Sequence, residues 1–131
     1  MTIAADRTAL RTHFVTGWGT TSPVIYENQP VTDIDMTTAY VRFGIQSADT
    51  VRETFGQNGI NARHGMVWLQ VIVPLGDATA TAYALADQFA ALFRNFRASG
   101  IDLLCTTETI RNVPQKDYYQ LNVTVPYLSF G

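Results

Sequence analysis

The chain has little cysteine, lysine, histidine or charge. One cysteine, Cys105, excludes an internal disulfide and fits a reducing compartment. One lysine, Lys116, stands beside eight arginines that never form a run, so the basic footprint of a duplex-binding protein is missing. Two histidines, His13 and His64, with no cysteine or carboxylate at ligand spacing, do not make a metal set. Charged residues are only 15% of the chain, against about 25% in an ordinary globular protein. Nowhere do about 18 apolar residues follow one another, so no membrane-spanning helix is expected. The opening Met1–Arg7 is too polar for a signal peptide.

What is present is a folding composition. Apolar residues make up 47%, the opposite of the balance that keeps chains disordered. All 131 residues read as one domain, 1–131, large enough to bury a core without a metal or disulfide. Much of the polar character comes from threonine. With seven Phe, six Tyr and two Trp, this weakly charged surface suits burial against partners.

Periodicity predicts a helix over 2–15, with Ile3, Leu10 and Phe14 on one stripe and Gly17 and Gly19 ending it around Trp18. Val24–Tyr26 reads as a short extended piece and 39–46 as a strand whose Val41, Phe43 and Ile45 share a face. Residues 65–73 are apolar on both parities except at Gln70, which predicts a central strand covered on both faces. Between these strands, Asn58-Gly59 marks a tight turn, so Thr50–Phe55 and Ile60–His64 form a polar hairpin arm that projects from the domain. A second helix over 78–97 repeats Ala82, Leu85, Ala86, Phe89, Leu92, Phe93 and Phe96 at spacings of three and four. Asp77 would cap its start, Arg94 and Arg97 would lie in its last turn, and Gly100 would supply the left-handed cap. Leu103–Val113 is expected as one strand. Tyr118–Pro126 alternates cleanly, as an antiparallel or edge strand does. The class is α+β: a mainly antiparallel or mixed sheet packed by two helices, with a projecting β-hairpin arm.

None of the chemistry-bearing residues forms a catalytic constellation. Cys105 lies in a strand-like run without a base and reads as a small buried hydrophobe. Asp33 and Asp35 sit in a threonine-rich loop, and Gly17-Trp18-Gly19 lacks the Lys-Ser/Thr of a phosphate loop. The histidines read as surface residues. No catalytic residue, cofactor or metal is expected. Phe55 differs, because an aromatic near the tip of a polar arm suggests a contact. The candidate interface is therefore Val51, Arg52, Glu53, Phe55, Ile60 and Arg63 on the arm, with Tyr118 and Gln120 on the last strand.

Several runs carry a resemblance: Pro23–Pro30, Tyr40-Val41-Arg42-Phe43, Arg63–Pro74 after a polar hairpin, the Ala-rich helix with Ala84–Asp87 and Leu92-Phe93, and Tyr118–Pro126. From about Ala9 to Tyr127 the chain resembles the tail terminator proteins of long-tailed, lambda-like bacteriophages. The resemblance implies a non-enzymatic virion protein at the head-proximal end of the tail, assembled in the host cytoplasm. It implies a hexameric homo-oligomeric ring on the tail tube protein, which stops polymerisation and offers a docking surface to the head–tail connector or neck protein. Genome DNA would pass through the lumen without specific binding, and no membrane would be involved. Two other expectations stay open. One is a head-completion or neck protein. The other is a small α+β ligand-binding or hydrolase domain, which a pocket lined by His64, Asp33 and Asp35 would favour.

Overall fold

A computed structural model describes residues 3–27, 38–52, 61–74, 79–98, 102–113 and 115–130. Its elements run α1 (Ile3–Trp18), β1 (Val24–Tyr26), β2 (Tyr40–Arg52), β3 (Asn61–Pro74), α2 (Thr79–Phe93), β4 (Arg97–Ala98), β5 (Asp102–Cys105), β6 (Thr109–Val113) and β7 (Tyr118–Phe130). The strands form one sheet in the order β1-β2-β3-β7-β5-β4, with β6 also pairing β7. Among the described residues only the β1–β2 pairing is parallel. The α+β class expected from the sequence is the one observed.

Both helices supply side chains to a core on one face of the sheet. Val41 and Phe43, then Val67, Leu69 and Val71, then Leu121, Val123 and Val125 form its floor. Phe14 of α1 lies flat on Phe43 with ring centroids 4.0 Å apart, and Phe89 of α2 meets both rings edge-on. Large aromatic surfaces packed this way dominate a core of this size. Helix α1 buries Asp6, Leu10, Phe14 and Trp18, every fourth residue. Ile3, expected on that stripe, is 58% exposed; the first buried position of the helix belongs to Asp6, which meets a cation rising from the sheet.

The opposite face corrects the expectation for β3. Met66, Trp68 and Gln70 point away from the helices and are only half-buried, so over Met66–Gln70 the strand is central but well covered on one face only. Its long apolar run reflects Trp68 lying across Gly44 on the neighbouring strand: a β-carbon at Gly44 would collide with the indole. Farther along that face Tyr40, Ile72 and Gln120 align across three strands and are buried.

Three further expectations change. Strand β7 is not an edge; β3 runs along one side of it, β5 and β6 along the other. The single strand expected over 103–113 is two, β5 and β6, separated by Thr106–Glu108. Helix α2 stops at Phe93, before Arg94 and Arg97, and Asn95 takes the left-handed conformation at φ 57°. Asparagine tolerates that region because its short amide can bond locally. Asp77 and Gly100 lie outside the described residues.

Phe14→Ala removes a ring that touches both helices and the sheet, and should cost about 3–5 kcal/mol in urea unfolding. Ile3→Ala on the same helix should stay within about 0.5 kcal/mol. Equal losses for the two would contradict this placement of α1.

Candidate interface

The hairpin expected as an arm begins inside the sheet. Strands β2 and β3 stay paired to Arg52 opposite Asn61, with a bulge between Ser47 and Thr50. Strand β3 is meanwhile paired to β7 as far as Ala62 opposite Phe130. Ala62 is fully buried. Any projection therefore starts beyond Arg52 and Asn61. Glu53, Phe55 and Ile60 fall there, outside the described residues, as does the Asn58-Gly59 turn.

Of the remaining candidate residues, Val51 is 46% exposed near the end of β2. Arg52 is the last residue of that strand. Tyr118, which opens β7, is half-buried. Arg63 and Gln120 are corrected: both are buried within the chain. Gln120 donates to Asn122 Oδ1 at 2.9 Å and faces the side chain of Gln115, so its amide is used internally.

Arg63 belongs to a buried network. Its Nε donates to Asp6 Oδ2 at 2.8 Å, and its Nη2 donates to Ser129 Oγ at 2.9 Å and to Asp6 Oδ1 at 3.3 Å. Ser129 Oγ in turn donates to Asp6 Oδ1 at 2.7 Å. The hydrogen bond that Arg63 donates to Asp6 raises the guanidinium further above its ordinary value, against the opposing pull of burial. This cluster ties the start of α1, the foot of the hairpin and the end of β7 to one another.

Two other chemistry-bearing side chains, His13 and Cys105, are also drawn into the fold. His13 is no surface residue: its ring stacks on Phe96 at 3.7 Å between centroids, and Nε2 lies 2.7 Å from the Leu92 carbonyl in the last turn of α2. His64 is exposed at the foot of the hairpin. Burial pushes the Cys105 thiol up to about 12, which leaves it protonated and a poor nucleophile near neutrality. Among the described residues no group of three or more His, Cys, Asp or Glu could hold a metal. A groove of about 660 Å³ runs beside α1, lined by small residues such as Ala4, Thr8 and Thr12, with His13 and Phe96 on its far wall. It does not include His64, and Asp33 and Asp35 lie outside the described residues.

Besides the short outer strands β1 and β4, two longer stretches of backbone edge have no strand partner among the described residues. On one side β1 covers only Val41–Phe43, and the Glu27 carboxylate accepts from the Ile45 amide at 3.3 Å, one step further. The rest of β2, through Val51, runs on past that cover. On the other side β6 pairs β7 alone and is exposed along nearly its whole length, with Ile110 40% exposed. The signal for β6 was weak because its five residues, Thr-Ile-Arg-Asn-Val, do not alternate in polarity.

Arg63→Ala leaves the Asp6 carboxylate buried without its cation and should lower unfolding free energy by about 3–5 kcal/mol. A double-mutant cycle with Asp6→Ala should show strong coupling; additive losses would mean that the network is incidental. Native Cys105 should resist a thiol reagent at neutral pH and react once denaturant is added. Rapid labelling of the folded protein would contradict its burial.

Comparison with known proteins adds one family and one fold likeness. A family model described as phage tail terminator protein matches residues 6–127. No curated protein matches the chain. A solved structure with 18% sequence identity aligns over 98% of this chain and 96% of that one, with a TM-score of 0.75, which shows a common fold.

Proposed function

This chain belongs to the phage tail terminator family and is a structural component of a bacteriophage tail; from that premise we propose that it caps the tail tube as a ring of identical subunits, hexameric by analogy with the family, stops tube growth and presents the surface on which the head–tail connector docks. The observation that carries this reading is the family match across nearly the whole chain. A tail tube is a helical stack, so its open end keeps offering the site used by the last copy added. Growth ends when a protein occupies that site and displays a different one.

The geometry is consistent with such a role. One face of the sheet is given to the helices and the other carries a half-exposed surface around Trp68. A subunit with two unlike faces can meet the tube with one surface and a different partner with another. No catalytic role is assigned: the polar groups that could have served one are committed to internal bonds, as at Arg63 and His13, or suppressed by burial, as at Cys105. The net charge of −2 suits a ring through which DNA slides, because a strongly basic lining would hold phosphates.

A phage lacking this protein should make overlong tubes and heads without tails, and purified protein added to tubes of finished length should restore joining. Electron microscopy of lysates measures both. Normal-length tails joined to heads would overturn the proposal. Normal-length tails that fail to join would favour a neck protein instead.

A further inference from the structure

The distal β2 edge and the β6 edge, which have no strand partner among the described residues, are complementary. Each carries one of the chain's exposed large apolar residues, Val51 on β2 and Ile110 on β6. Each also carries a charge of opposite sign nearby: Asp49 is exposed on the first edge and Arg111 on the second. A strand edge with open backbone groups and an exposed β-branched residue is a template for pairing, which proteins normally blunt.

The strand directions are also compatible. β2 is antiparallel to β3, β3 to β7, and β7 to β6, so β2 and β6 run in opposite senses within each subunit. A neighbour rotated about an axis near the strand direction keeps that relation, and its β6 meets this subunit's β2 antiparallel. With Thr50 set opposite Ile110, the register that keeps the helix-side face continuous from one copy to the next, the five residues Thr109–Val113 cover Val51 back to Ser47. Asp49 then falls opposite Arg111, so opposite charges meet at the seam.

We propose that subunits join head to tail by strand addition, β6 of one copy pairing with the distal half of β2 in the next. The proposal rests on the ring reading above and names its interface. The edges lie at different heights. Thr50 is level with Ser129 through Arg63, whereas Ile110 is level with Val123. Six residues of β7 separate these levels, an offset of about 20 Å along the strand. Strands closed into a ring must tilt and shear, so a fixed stagger between neighbours is compatible with closure. An interface using two different edges has no two-fold partner and propagates until it closes.

The test is disulfide trapping in the full-length protein, with buried Cys105 left in place. Thr50→Cys/Ile110→Cys, oxidised under conditions where the wild type assembles, should give a covalent ladder ending at the ring. An equal mixture of Thr50→Cys and Ile110→Cys should give dimers, and neither variant alone should cross-link. Val51→Lys should abolish assembly with its melting temperature unchanged. Dimers from Thr50→Cys alone would show a two-fold contact and overturn the proposal. Rings by light scattering without cross-links in the double variant would overturn the strand pairing and leave the ring reading standing. A wild type that stays monomeric even with purified tubes would remove the ring and the interface together.

Discussion

Asp6, Arg63 and Ser129 meet in one buried cluster, although 123 residues separate the first from the last. Taking an ion pair out of water costs several kcal/mol per ion unless geometry and additional hydrogen bonds compensate. Here both carboxylate oxygens accept, and Ser129 both accepts from the arginine and donates to the aspartate. Such a cluster tolerates little displacement of any member. It therefore constrains the start of α1, the hairpin foot and the end of β7 together, and with them the level at which the distal half of β2 leaves the body.

The aromatic core depends on the same placement. With the first turn of α1 held over the sheet by Asp6, Leu10 and Phe14 descend onto Phe43 and the second helix. His13, one residue from Phe14, reaches across to the last turn of α2 and stacks on Phe96. The Arg94 guanidinium closes the other end, holding both oxygens of Glu108 with Nη2–Oε2 at 2.8 Å. These contacts join α2 to α1 on one side and to the β5–β6 connection on the other. Both helices are thereby committed to one face of the sheet.

Much of this was legible where one local period dominates. The three-and-four spacing from Ala82 to Phe93 marked α2 and its buried face, and the alternation Leu121, Val123, Val125 marked the core side of β7. Elsewhere a pattern could be read two ways. Trp68 and Met66 look like core because they are apolar, yet they sit on the less covered face, and Trp68 is accommodated by the missing side chain of Gly44. Asn95, rather than a downstream glycine, ended α2, because the turn returning the chain to β4 and β5 had to begin there. Arg63 read as an exposed cation on a polar arm, since nothing local distinguishes an arginine with a buried partner 57 residues away from one in water.

The sequence by itself determined the α+β class, most of the helix and strand segments and, through the resemblance of its runs, the family to which it belongs. The class and the segments follow from local periodicity and composition, which act within a few residues. Tertiary structure alone decided which face of the sheet the helices cover, which charged and amide side chains are withdrawn from solvent, and which edges stay unpaired. Those outcomes depend on the register of β2, β3 and β7 against one another, and register is a relation between segments that no single segment contains.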